Sequence, residues 1–177
     1  VHAASGGALY RKSSFLIDHL GKRVMPDFVH IAERPHIPRG LGSASFDSDG
    51  VATHDRDVVI DGILQGYFLS SYTARKLGMQ TTGNAGCSHN LVIRPGELDL
   101  AGLLKAMNRG LLVTELLGHG INYVTGDYSR GAAGYWVENG EIQYPVEEIT
   151  IAGNLREMLK GIAAIGSDVV VRGSKQV

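Results

Sequence analysis

AAGYWVENGEIQYPV, residues 132–146, decides the fold class, because two runs of alternating apolar and polar residues flank the Asn139-Gly140 pair. Alternation with period two belongs to a strand with one face buried, and Asn-Gly between two such runs is the strongest short-range hairpin signal. Upstream, LLVTELL (111–117) and INYVTG (121–126) read as further strands. Downstream come a strand, EEITIAG (147–153), a helix from Asn154 with Leu155, Met158, Leu159 and Ile162 on one face, and a strand, SDVVVRG (167–173). The links between consecutive strands are too short for parallel crossovers. The expected fold class is α+β, a largely antiparallel β-sheet or open barrel with a few packed helices.

Farther out the signals are less regular. Phe15, Leu16 and Ile17 fit a buried strand or a helix turn. Pro26 within VMPDFVHI (24–31) suggests an edge strand or one entered after a turn, and Pro35, Pro38, Gly40 and Gly42 mark a loop through Leu41 and Phe46. DVVIDGILQGYFL (57–69) is rich in β-branched and aromatic residues and predicts one long strand bent or bulged at Gly62 and Gly66. Ser70 is placed to cap a short helix, SYTARKL, closed by Gly78. A polar glycine-bearing loop, QTTGNAGCS, then leads to a strand, HNLVIRPG. Asp99 caps a helix whose Leu100, Leu103, Leu104 and Met107 recur at helical spacing, with Arg109 in its last turn; that stripe is expected to pack on a sheet.

Length and composition match one ordinary globular domain over residues 1–177, with 44% hydrophobic and 20% charged residues and no repeat or linker. Glycine is the outlier at 24 of 177 residues, about twice the roughly 7% average, which points to many turns and bulges. Seventeen Lys and Arg against eighteen Asp and Glu leave a net charge of −1. Such a balance offers no field for phosphate backbones or anionic lipid, so neither nucleic acid nor a membrane is an expected partner. The lone Cys87 excludes an intrachain disulfide and favours a reducing, cytoplasmic setting. No apolar run reaches membrane-spanning length, and the first residues lack the apolar core of a signal peptide. Opening on Val1 in mid-pattern and closing abruptly at RGSKQV, the chain is expected to be part of a longer protein.

No catalytic site is complete in the sequence. The seven histidines contain no H-x-x-x-H or H-E-x-x-H pair, and the six-residue offset in HIAERPH (30–36), broken by Pro35, sets two imidazoles poorly for one metal. Cys87 and His89, two apart in GCSHN, offer a thiolate and a base on one strand face. Without a surrounding oxyanion motif, the competing reading is a small buried thiol entering a strand. Glycines here follow neither a Walker nor a dinucleotide pattern. The most unusual stretch is TGDYSRGAAGYWVENG (125–140). One reading has Asp127 and Arg130 joined by a charge-assisted hydrogen bond, with Gly126, Tyr128, Ser129 and Trp136 bordering a groove for an extended backbone or a partner. The other is a β-turn with a surface ion pair.

GDYSRGAAGYWVENGEIQYPVEEITIAGNL, together with SGGALYRKSSFLID near the start, resembles the C-terminal half of the PmbA family, also called TldE, within the TldD/PmbA group once described as modulators of DNA gyrase. The resemblance covers essentially the whole chain. It implies a cytoplasmic two-subunit metalloprotease that trims or degrades peptides and unfolded small proteins. In TldD-type subunits an H-E-x-x-x-H helix supplies two zinc ligands and a glutamate base, and PmbA-type subunits generally lack it. That region corresponds to residues before Val1, and a further cysteine ligand to residues beyond Val177, so no metal ligand is carried over to this chain. Zinc is expected in the TldD-type partner, and the partners implied are that subunit, a second copy of this chain and extended peptides. A non-enzymatic peptide-binding or scaffolding protein is the alternative.

Overall fold

A computed structural model describes residues 1–172 and 175–176. The described residues form two sheets and four α-helices and no closed barrel, an α+β fold as expected from the sequence. The first sheet is built from β1 (Ile31–Glu33), β2 (Arg56–Ile60), β3 (Ile63–Leu64), β4 (Leu91–Ile93), β8 (Val171–Arg172) and β9 (Lys175–Gln176), in the order β3-β2-β1-β4-β9-β8. All its neighbours are antiparallel except β4 and β9. The strand expected over 167–173 is reduced to β8, and Gly173 lies outside the described residues. On this sheet pack a short 3-10 turn (His2–Ala4), α1 (Gly6–Tyr10) and α2 (Ser71–Leu77). Leu9, Val24, Val58, Val59, Leu64, Phe68 and Leu69 form the core between them. Ser70 and Thr73 close a reciprocal capping box on α2, and Gly78 ends it in the left-handed region at φ 66°.

Several expectations are corrected here. The run 57–69 is not one strand: Asp61 (φ 48°) and Gly62 (φ 73°) make a two-residue turn between β2 and β3, with Ile60 opposite Ile63. Positive φ at both central positions matches the right-handed twist of a hairpin, so Gly62 is a turn residue rather than a bulge. Residues 24–30 are turns and bends, since Val24 and Met25 donate to the Gly62 carbonyl instead of entering a ladder. The strand that follows, β1, is paired on both sides and is no edge. Phe15 to Ile17 form a turn.

The second sheet follows α3 (Leu100–Met107) and comprises β5 (Gly110–Leu117), β6 (Asp127–Glu138) and β7 (Glu141–Asn154), antiparallel in that order. The hairpin read from Asn139-Gly140 is present, with φ 55° and 76°. It is longer than its sequence signal, because EEITIAG continues β7 rather than forming a strand of its own. INYVTG is a turn that meets the start of β6 through an Ile121–Tyr128 bridge and hydrogen bonds to Asp127. The apolar stripe of α3 is not buried on a sheet; no residue of the helix is buried, and it stops at Met107 with Asn108 as cap, leaving Arg109 outside its last turn. After β7, Asn154 caps α4 (Leu155–Lys160).

Bulges set the character of this second sheet. Register slips occur between Val113 and Glu115 on β5, around Gln143 and again between Val146 and Ile149 on β7, where Glu148 takes φ 54°. Each inserts one residue and reverses the parity of its strand. As a result Leu111, Trp136 and Tyr144 form one rung, Val113, Gly134 and Val146 the next, and Leu116, Ala132 and Ile149 a third, all on the same face.

Candidate functional site

Residues picked from 125–140 are strung along β6 rather than gathered. Asp127 opens the strand and Trp136 lies nine residues on, roughly 30 Å at about 3.3 Å per residue. Tyr128, Arg130 and Trp136 share one face by strand parity and Ser129 takes the other. The expected Asp127–Arg130 pair does not form. Asp127 instead accepts from Thr125 Oγ1 at 2.6 Å and Asn154 Nδ2 at 3.1 Å, and these two hydrogen bonds hold its carboxyl below the usual carboxylate range. Arg130 donates to the carbonyls of Leu116 and Leu117 on the neighbouring strand. The slanted reach along the sheet suits these carbonyls better than a carboxylate three residues back on the opposite face. Gly126 at φ 89° is buried, and its carbonyl accepts from Leu155, so the start of β6 is bolted to that of α4. Trp136 stacks under the Arg109 guanidinium, 5.4 Å from its ring centre.

Cys87 and His89 are not arranged as nucleophile and base. Cys87 is exposed, against the buried thiol of the competing reading. His89 is buried, and its Nδ1 and Nε2 face the carbonyls of Gly42 (3.2 Å) and Gly83 (3.0 Å), so neither nitrogen is free to take a proton from the thiol. The histidines of HIAERPH also diverge, His30 to Asp57 and His36 to Thr53.

What the structure assembles instead is an open cleft of about 560 Å³. One side is the start of the chain through Gly6 and Gly7, another the α2 N-terminus with Ser70 and Thr73, and a third the loop Asn84–Ser88 that carries Cys87. Tyr123, from the turn before β6, reaches it as well and contacts the His2 ring at 4.3 Å between centroids. Gly6 has no room for a Cβ, which would collide with the Thr73 side chain, so glycine there sets how closely α1 and α2 approach. The sequence signal that could have found this cleft is the conjunction of the Gly-Gly pair, the Ser70 cap and the polar NAGCSHN loop.

A buried polar network fixes that loop. Glu33, 1% exposed, accepts from Arg56 Nε (2.7 Å), Asn84 Nδ2 (2.8 Å) and the His89 backbone N–H (2.6 Å). Arg56 also donates to Asn84 Oδ1 and the Tyr67 carbonyl and lies over the Phe68 ring. Asp47 completes the anchoring from below, accepting N–H groups of Ala85, Asp49 and Val51. Burial alone would push the Asp47 carboxyl up, but those three backbone donors, from Ala85, Val51 and Asp49, together with His89 outweigh it and hold the pKa below its ordinary value. Asp57 is likewise held down, chiefly by the Arg34 guanidinium at 2.8 Å. A carboxyl with a depressed folded pKa contributes stability above its unfolded pKa of about 3.9, and that stability is lost as pH falls through the lower folded value. Urea unfolding between pH 7 and pH 3 is therefore expected to show the chain weakening below about pH 4. Asp47→Ala should be less stable at neutral pH and show a shallower acid loss; an identical acid slope in the variant would show that Asp47 is not among the groups responsible.

Among the described residues no cluster of three or more His, Cys, Asp or Glu side chains is placed to hold a metal ion. The donors among the described residues do not fit a zinc site. Nor is any helix among those residues long and apolar enough to cross a membrane.

Residues 1–177 match the model of the PmbA/TldA metallopeptidase C-terminal domain end to end. The chain belongs to the PmbA/TldA metallopeptidase family. A metalloprotease PmbA homolog of Haemophilus influenzae is 58% identical over 98% of the chain and 39% of its own length. Among solved structures, a Bacteroides thetaiotaomicron protein described as a candidate modulator of DNA gyrase superposes with a TM-score of 0.94 at 34% identity, covering all of this chain and 40% of that one. TldE from Thermococcus kodakarensis gives 0.85 at 25% identity over 97% of this chain and 41% of its own. The chain thus spans about two fifths of the PmbA relatives it matches, and its cleft and long hairpin belong to their C-terminal domain.

Proposed function

We propose that this chain is the C-terminal portion of a subunit of a two-component cytoplasmic metalloprotease that processes peptides and unfolded small proteins, and that it serves as the component without the zinc motif. The observation that supports this reading is the match of residues 1–177 to the PmbA/TldA metallopeptidase C-terminal domain together with 58% identity to a metalloprotease PmbA homolog; the role without the zinc motif is what the resemblance to PmbA-type subunits implies. Hydrolysis by a zinc peptidase needs a Lewis acid, a proton-shuttling carboxylate and an extended substrate held in register. A component lacking the first two still supplies the third; β6 is paired on both sides, so it would contribute through the side chains of its Arg130 and Trp136 face and not through a free edge. The single exposed thiol, Cys87, is in keeping with a reducing compartment.

The test uses full-length protein, alone and mixed with its TldD-type subunit. Peptide cleavage is expected only in the mixture and should be abolished by a chelator. Arg130→Ala with Trp136→Ala is expected to lower peptide turnover about tenfold or more, as loss of two anchoring contacts does. Wild-type partner association and turnover in that double variant would remove β6 from the substrate path. Peptide binding without turnover in either setting would favour a scaffolding protein instead.

A further inference from the structure

Among the described residues no Asp, Glu, Lys or Arg lines the open cleft; its polar groups are the His2 ring, neutral hydroxyls, the Asn84 amide and the Cys87 thiol. Charge enters only at its border. Gly7 lines one wall, and a Cβ there would meet the Arg11 guanidinium at 3.4 Å, so this cation lies directly over that wall. From Arg11 a run of ring contacts continues along the outside of α1 and α2. The guanidinium sits 5.4 Å from the Tyr10 ring centre, Tyr10 meets Tyr72 edge to face at 5.9 Å, and the Lys76 ammonium lies 5.6 Å from the Tyr72 ring centre. Tyr72 and Lys76 are one helical turn apart and so share a side of α2. Thr73, next to Tyr72, lines the cleft and abuts Gly6 of α1, so the patch and the cleft have a common border.

These cations have no carboxylate to meet. The segments 5–17 and 70–83, which hold both helices, contain Arg11, Lys12, Arg75 and Lys76 and no Asp or Glu. All four are exposed, and none takes part in an ion pair among the described residues. Two carboxylates border the helices from elsewhere in the chain. Asp49 accepts from the Ser71 N–H at the start of α2, and Asp18 lies beside Leu9 and Leu77; neither is paired with a cation of the patch. A guanidinium resting on a ring keeps the N–H groups of its edge free for a carboxylate. Single-stranded nucleic acid fits less well, because bases stack on open ring faces. Here the two rings cross edge to face and each already carries a cation. The ligand that matches is a chain bearing separate carboxylates.

We infer that the rim formed by Arg11, Tyr10, Tyr72 and Lys76 selects acidic peptides, pairing with aspartate or glutamate side chains of an extended chain whose neighbouring residues lie in the uncharged cleft. The inference rests on the peptide-processing reading above and names its substrate class.

The experiment uses full-length protein, alone and with its TldD-type subunit, and a pair of dye-labelled extended peptides that differ only in carrying Glu or Gln at the same positions. Fluorescence anisotropy reads binding. The Glu peptide should bind about fivefold tighter at low ionic strength, an advantage that shrinks as salt screens exposed charges. Arg11→Gln with Lys76→Gln should bring the ratio of the two affinities to about one, and Arg11→Glu with Lys76→Glu should reverse the preference. Both positions are exposed, so the fold should be kept, and an unchanged circular dichroism melt verifies it. Equal affinity of the wild type for the two peptides, or a preference for Glu that survives in both variants, overturns the rim while leaving the peptide-processing reading intact. Failure to bind either peptide in either setting, with neither cut in the mixture, overturns both. Tighter binding of single-stranded poly(dT) than of the Glu peptide, lost in the same variants, assigns the rim to nucleic acid and overturns the inference.

Discussion

Glu33→Ala is expected to destabilise the chain by about 3–5 kcal/mol, the usual cost of removing one partner of a buried ion pair. Glu33 and Arg56 are directly opposed on β1 and β2, and the carboxylate holds three donors at 2.6–2.8 Å. Without it the Arg56 guanidinium, the Asn84 amide and the His89 N–H lose their acceptor in a site that water hardly reaches. At roughly 2–4 °C per kcal/mol for a chain of this size, the melting temperature should fall by about 10 °C. Glu33→Gln should recover little, since an amide nitrogen would face a donor. The double variant Glu33→Leu/Arg56→Leu should be less harmful than the two single changes added, because an apolar pair leaves no orphaned charge. Thermal melts followed by circular dichroism decide it, and strict additivity would show that the pair is not coupled. Because Glu33 also anchors the loop from Asn84 to Ser88, the single variant should loosen one wall of the cleft, read as faster alkylation of Cys87.

Gly62→Val should cost several kcal/mol for a different reason. Its φ of 73° lies where a β-branched residue is strained by about 1–2 kcal/mol, and a Cβ would collide with the carbonyl oxygens of Met25 and Pro26. Those oxygens belong to a segment tied to this turn by hydrogen bonds from Val24 and Met25 to the Gly62 carbonyl and from the Gly62 N–H to Val29. Overpacking against backbone adds about 1–3 kcal/mol. Soluble yield and urea midpoint should both drop. Asp61→Val, which places the same β-branched strain at the other positive-φ position without that backbone collision, should cost clearly less; equal damage at 61 and 62 would mean that strain rather than the close approach dominates.

The two turns show how much could be read in advance. Asn139-Gly140 was legible because long alternating runs stand on both sides, whereas Asp61-Gly62 carries the same turn chemistry but only Ile63 and Leu64 pair after it. A pair so short leaves no periodicity to detect, and the apolar run through Leu69 imitates one strand. Caps at Ser70, Asp99 and Asn154 were legible because they are local, a side chain closing on an N–H two or three residues away.

Local chemistry in the sequence alone therefore determined the α+β class, the long hairpin, the helix starts and, by resemblance, the family. Which residues meet is another matter. The cleft joins Gly6, Ser70, Asn84 and Tyr123 across more than a hundred residues of chain, and Glu33 finds Arg56 and Asn84 only through strand pairing and loop return. The bulges decide which residues of β7 share a face by reversing parity at Gln143 and Glu148. Such contacts arise from backbone register and long-range packing, which leave no spacing in the sequence because the interacting groups are neighbours in space and not along the chain.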